Sequence, residues 1–142
     1  MKRIEQLQYI SKEHHQSLVL ASKCKKIITK ETEEVVRNFS RQLKLDFDVK
    51  WFRHFRIEEK TIFSVAEKKG KEISDLCQQL QKEHKVLEKM VEEISGGNYQ
   101  MLPEFGQLLH DHTRLEERQL FPLVEQLFTG EELNNILQES ES

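Results

Sequence analysis

Apolar residues recur three and four positions apart through nearly the whole chain, the spacing of one face of an α-helix and not of a strand. The residues able to interrupt such a pattern are few: five glycines and two prolines, gathered at a handful of points. The pattern therefore predicts an all-α fold. At 142 residues the chain has the size of one domain, enough to bury a core and too short for two comfortable ones. A single domain is expected over 1–142, with its core at about 11–128 and a short acidic C-terminal tail.

Four helices account for the pattern. Ser11 is a natural N-cap for the first, which runs to about Lys30 with His14, Leu18, Ala21 and Ile28 inward. Thr32 opens a second, to about Lys68, carrying Phe39, Leu43, Phe47, Trp51, His54, Glu58, Ile62 and Val65 on one face. Its length leaves room for a bend near Asp46, and Lys69-Gly70 ends it. A third carries Ile73, Cys77, Leu80, His84, Leu87, Val91 and Ile94, and Gly96-Gly97-Asn98 stops it. Pro103 suits the start of a fourth, with Phe105, Leu108, His112, Glu116, Leu120, Leu123 and Leu127 inward, and Pro122 should kink or close it. Short connections favour antiparallel neighbours, hence an up-down-up-down four-helix bundle.

Each of the four stripes is interrupted by a histidine: His14, His54, His84 and His112. Two stripes also hold a carboxylate four residues on, Glu58 and Glu116, so His and Glu share a helix face one turn apart. Two carboxylates and four imidazoles are costly on buried faces unless something pairs with them. The plain alternative is a polar core whose His and Glu satisfy one another. Repetition argues for more than that. His54-Phe55-Arg56-Ile57-Glu58-Glu59-Lys60-Thr61-Ile62-Phe63 parallels His112-Thr113-Arg114-Leu115-Glu116-Glu117-Arg118-Gln119-Leu120-Phe121, and Lys12-Glu13-His14 parallels Lys82-Glu83-His84. Two related helical hairpins, each giving two His and one Glu, predict a pseudo-twofold dinuclear metal site. The same parallel selects His14 over His15, which falls among Ser22 and Lys26. Four imidazoles and two carboxylates exceed the needs of one tetrahedral zinc and suit two iron ions, with carboxylates bridging them. Glu59 and Glu117 are either further donors or acceptors from imidazole N–H groups. Trp51, Phe55, Phe63 and Phe121 read as core, or as an apolar wall limiting water access. No His-Glu-x-x-His or Glu-x-x-His motif occurs, which removes the zinc-protease and ferritin-like arrangements.

From about Ser11 to Phe128 the chain resembles the hemerythrin family, in particular its HHE-type cation-binding domains, chiefly through the two His-x-x-x-Glu-Glu segments ending in Ile/Leu-Phe. The resemblance implies a four-helix bundle around two non-haem iron ions, joined by an oxo or hydroxo bridge when oxidised. It makes His14, His54, His84 and His112 terminal ligands and Glu58 and Glu116 bridges. Oxygen-carrying hemerythrins have a fifth histidine one turn before the one matching His84, where this chain has Leu80, and place the fourth-helix carboxylate one residue further on than Glu116. One nitrogen ligand fewer leaves a more open iron position.

Other classes are disfavoured. Lys and Arg number 22 against 25 Asp and Glu, spread along the chain without a basic, aromatic-laced patch, so nucleic acid is not an expected partner. No run of about 18 apolar residues exists, and Met1-Lys2-Arg3-Ile4-Glu5 lacks the apolar core of a signal peptide. A cytoplasmic protein is expected. Cys24 and Cys77 form no Cys-x-x-Cys pair and read as buried reduced thiols. The function expected is binding of O₂ or NO at an open iron position, for storage, detoxification or sensing, with a redox or signalling partner protein. The alternatives are an iron-handling or redox role, such as iron-sulfur cluster repair or diatomic or peroxide reduction, and a bundle merely stapled by metal.

Overall fold

In the computed structural model, which describes residues 3–142, every regular element is helical and no strand occurs among the described residues. Met1 and Lys2, the start of the segment too polar for a signal peptide, lie outside them. No helix among the described residues is long and apolar enough to cross a membrane. Five helices follow in order: α1 (Glu5–Lys30), α2 (residues 33–66), α3 (Lys71–Ser95), α4 (residues 102–127) and α5 (Gly130–Glu141).

Several boundaries fall where local chemistry puts them. The Thr32 hydroxyl accepts the Val35 N–H at the head of α2. At the end of α3, Gly97 takes φ 115° while its N–H bonds the Ile94 carbonyl and that of Asn98 bonds Glu93, the paired closure a glycine permits. Two boundaries differ from expectation. Ser11 is not an N-cap: α1 begins at Glu5, because Leu7 and Ile10 continue the buried stripe of His14 one and two turns upstream. The C-terminal segment is not a tail. Thr129 and Glu132 form a capping box, α5 buries Ile136 completely, and Arg53 donates to the carbonyls of Glu139, Ser140 and Ser142. Lys69 reaches Glu132 at 2.8 Å.

α2 and α4 are not uniform. Wide π-turns occupy Phe47–Trp51 and Glu59–Phe63 in α2, and Glu116–Leu120 in α4. The first lies where a bend had room; the other two fall within one residue of matching places in the repeated segment. A π-turn takes up one extra residue, so the inward face moves on by one. Hence Ala66, Val124 and Phe128 are buried in place of Val65, Leu123 and Leu127, the last of which is 36% exposed. Pro122 does not close α4 either. It stands at the start of the segment Phe121–Leu127 directly after the π-turn, and the helix continues.

The core comprises two apolar clusters with the polar stripe residues between them. One gathers Ala21, Leu43, Phe55, Leu87 and Phe105 with their neighbours; the other gathers Leu7, Ile62, Leu80, Phe121 and Ile136 with theirs. Each of α1 to α4 passes from one cluster to the other through a buried His or Glu of its stripe: Ile10 to Ala21 by His14, Phe55 to Ile62 by Glu58, Leu80 to Leu87 by His84, Leu109 to Leu120 by His112 and Glu116.

Candidate metal centre

All six residues singled out by the stripes meet in that middle layer, each 2% exposed or less. The π-turns begin at or next to these carboxylates: Glu58 closes the regular turn just before one, and Glu116 is the first residue of the other. Glu58 is the hub: Oε2 lies 3.1 Å from His14 Nε2 and 3.2 Å from His54 Nε2, and Oε1 lies 3.1 Å from His84 Nε2. Glu116 Oε1 lies 3.0 Å from His14 Nε2 and 3.5 Å from His112 Nε2. Two sets of donor atoms result, each drawn together within 4.8 Å: His14, His54, Glu58 and Glu116, and His84, His112, Glu58 and Glu116. One histidine pair comes from α1 and α2, the other from α3 and α4, and both sets share both carboxylates.

The outer edges of the imidazoles are held by a second set of carboxylates. Glu13 on α1 takes His54 Nδ1 at 2.8 Å, Glu59 on α2 takes His84 Nδ1 at 2.8 Å, Glu83 on α3 takes His112 Nδ1 at 2.7 Å, and Glu117 on α4 takes His14 Nδ1 at 2.6 Å. Each helix thus grips the histidine of the next, and α4 returns to α1. A carboxylate accepting from Nδ1–H fixes the ring tautomer and turns the Nε2 lone pair inward, the outer arrangement usual around metal-bound histidines. Glu59 and Glu117 therefore serve as acceptors from imidazole N–H. Glu13 and Glu83 had not been singled out, although both stand inside the repeated Lys-Glu-His. Support is graded: Arg56 reaches Glu59 at 3.0 Å, Gln79 reaches Glu83 at 3.0 Å, and the Ser11 hydroxyl donates to Glu117 at 3.1 Å.

Charge balance within the cluster is tight. Burial pushes the Glu58 carboxyl upward, but the charge of His54 and the bonds from His14, His54 and His84 outweigh it and hold it well below the usual carboxylate range. Burial likewise disfavours the charged His14, yet the bond and charge of Glu116, with the bonds to Glu117 and Glu58, raise it well above the ordinary histidine value. His54 is raised against its burial by the charge of Glu58 and the bonds to Glu13 and Glu58, and His84 is pushed up to about 9 against its burial by Glu58 and Glu59. Imidazolium protons thus do what cations would do there. They do not do it completely: Glu58 Oε1, Glu116 Oε2, His84 Nε2 and His112 Nε2 are buried with no hydrogen-bond partner, since the 3.1 Å approach of His84 to Glu58 is misaligned for one. Inward-facing nitrogens and carboxylate oxygens left over in a closed layer are the donor set of a cation site.

Aromatic rings wall the layer. Phe55 stacks on His84 with ring centroids 3.9 Å apart, Phe63 lies 5.3 Å from the same ring, and Phe121 stacks on His14 at 5.3 Å. His15 is exposed and His110 is half-buried against Asp111; neither enters the layer. Cys24 and Cys77 are buried and unpaired, and burial pushes both thiols up to about 12, so they are not thiolate donors.

The sequence model of the Hemerythrin HHE cation binding domain matches residues 5–124. The chain belongs to the hemerythrin HHE family. No protein of curated function and no solved structure matches it. The family match begins where α1 begins, upstream of Ser11, and stops short of α5. Within this hemerythrin-like domain the His and Glu cluster fits the cation binding in the family's description: four nitrogens and two carboxylates converge, outer carboxylates turn the nitrogens inward, and four inner atoms want a partner.

Proposed function

We propose that the protein is an up-down-up-down four-helix bundle holding two non-haem iron ions, and that it binds O₂ or NO at an open iron position, for storage, detoxification or sensing. The alternating passage of α1 to α4 between the two apolar clusters supports the topology. The observation that carries the metal reading is the pair of donor sets that share Glu58 and Glu116. Shared carboxylates bridge two ions, and two imidazoles per ion on top of them suit iron. His14 and His54 hold one ion, His84 and His112 the other.

Each ion then has four protein donors, fewer than octahedral iron accepts, and no fifth imidazole competes for the remainder. The residue one turn before His84 is Leu80, fully buried in the apolar cluster and unable to coordinate. Bound iron would supply the redox chemistry; the chain's own residues orient the imidazoles through Glu13, Glu59, Glu83 and Glu117 and exclude water with Phe55, Phe63 and Phe121. The cytoplasm is the setting we assign, with a redox or signalling protein as partner.

The test is iron content per chain on protein purified without oxygen, followed by the visible spectrum before and after O₂ or NO. Two irons and a reversible ligand band are expected. Two irons that oxidise irreversibly would replace ligand binding with an iron-handling or redox role, and protein reconstituted with ferrous iron that retains none would overturn the metal reading.

A further inference from the structure

The two halves of the bundle carry matching grooves beside the metal layer, and only one of them is open among the described residues. Between α2 and α3 lies a groove of about 370 Å³ whose walls include Glu59, Phe63, Glu67, Ser74, Cys77 and Gln78. The repeat that sets His54 against His112 sets Glu59, Phe63 and Glu67 against Glu117, Phe121 and Glu125, and the one that sets His84 against His14 sets Gln78 against Gln8. The twin groove therefore runs between α4 and α1, and Arg3 fills it. Its guanidinium lies 3.4 Å from Glu125 Oε1, 4.0 Å from Glu117 Oε1 and 5.9 Å from the centroid of the Phe121 ring, and the Ile4 N–H closes onto Glu125 at 3.0 Å. On the open side the charge of Glu59 is met by Arg56 from its own helix, so no side chain needs to enter.

The floor of the open groove is thin. Phe63 lies in ring contact with His84, and Glu59 holds the Nδ1 of the same histidine at 2.8 Å. One phenyl ring thus separates the groove from a proposed metal ligand. The α1–α4 seam is tighter still lower down. A Cβ added at Gly106 would fall 2.7 Å from the Ala21 carbonyl oxygen, and the Ser17 and Thr113 hydroxyls meet at 2.9 Å, where the repeat places Leu87 and Phe55 on the opposite side.

We propose that the α2–α3 groove is the passage by which a small neutral ligand reaches the metals, and that Arg3 shuts the twin passage between α4 and α1. This inference rests on the di-iron reading. The groove walls carry both signs, Glu59 and Glu67 beside Lys82 and Lys85, so they set up no one-signed field to draw an ion inward, while the Phe63 ring at its floor admits an uncharged diatomic by a rotamer change.

The probe is NO, mixed in a stopped-flow instrument with the iron-loaded, reduced full chain. Gln78→Trp and Ser74→Trp place an indole in the open groove, away from every proposed ligand; Gln8→Trp does so at the twin. The groove variants should slow both association and dissociation about tenfold with iron content and final spectrum unchanged, because a passage alters barriers and not end states. Gln8→Trp should leave the rates alone, and Arg3→Ala added to Gln78→Trp should restore them by opening the twin. Wild-type rates in both groove variants would overturn the passage, and no restoration by Arg3→Ala would overturn the role of Arg3. Absence of any NO band in the unmodified, iron-replete protein is a different failure, which refutes ligand binding at an open iron position and the passage with it, while a chain that retains no iron refutes the di-iron reading itself.

Discussion

Glu58→Gln is the substitution with the largest expected effect, since Glu58 is fully buried and its two oxygens lie within 3.1 to 3.2 Å of three imidazoles. The amide keeps the shape and removes the charge, leaving His14, His54 and His84 without their common counter-ion. Breaking a buried ion pair by removing one partner costs roughly 3–5 kcal/mol. Unfolding entropy of about 2.1 cal/mol/K per residue gives about 0.3 kcal/mol/K for a chain of this length, so the metal-free variant should melt roughly 10–17 °C below the metal-free parent. Glu116→Gln, which meets two imidazoles at 3.0 and 3.5 Å, should lose less. Both should lose both ions together, because each carboxylate serves both donor sets. Calorimetry of the metal-free proteins and metal analysis of the loaded ones measure the two effects. A Glu58→Gln protein that holds two irons and melts within a degree or two of the parent would refute the reasoning.

Three further outcomes are expected. Glu13→Gln and Glu83→Gln should each weaken metal binding by about 10- to 100-fold, measured by competition with a chelator, because the amide no longer offers the charged acceptor that holds the Nδ1 side of His54 or His112 and turns Nε2 inward. His14→Ala should lose metal while the exposed His15→Ala keeps it, as metal analysis of the two proteins would report. In the metal-free chain, His84 is raised from 6.5 to about 9, so its contribution to stability is complete below pH 6.5 and lost as the pH rises to about 9, while Glu58, lowered from 4.5, contributes above pH 4.5 and less as the pH falls below it. Chemical denaturation across the pH range should then find its maximum between about 4.5 and 6.5.

Much of this arrangement could be read from residue spacing. The stripes located His14, His54, His84 and His112, and the repeat located Glu58 and Glu116, because helix periodicity is a local property that burial only reinforces. What escaped depends on contacts between distant segments or on departures from regular period. The π-turns at Glu59–Phe63 and Glu116–Leu120 shift the inward face by one residue, which no 3.6-residue template anticipates and which moved burial from Leu127 to Phe128. α5 was hidden by its acidic composition, its apolar content reduced to Leu133, Ile136 and Leu137 and its stability drawn from Arg53, Lys69 and the capping box. Glu13 and Glu83 fall outside the inward stripes because one residue of helix rotation separates them from the histidines beside them; only the neighbouring helix reveals their task.

The hand-over of carboxylates from each helix to the histidine of the next has a consequence for how such a molecule can arise. Within the first hairpin Glu13 already serves His54, but Glu59 has no client and His14 no support until a second hairpin arrives. That second hairpin could be an identical copy: its own first-helix histidine would take Glu59, and its second-helix carboxylate would return to His14. A single gene for some seventy residues, pairing with itself about a twofold axis, would own every bond in the circuit, and fusing two copies end to end would add only the connection around Gly70. Arg3, α5 and the Phe55 and Thr113 mismatch are where the two halves depart from that symmetry.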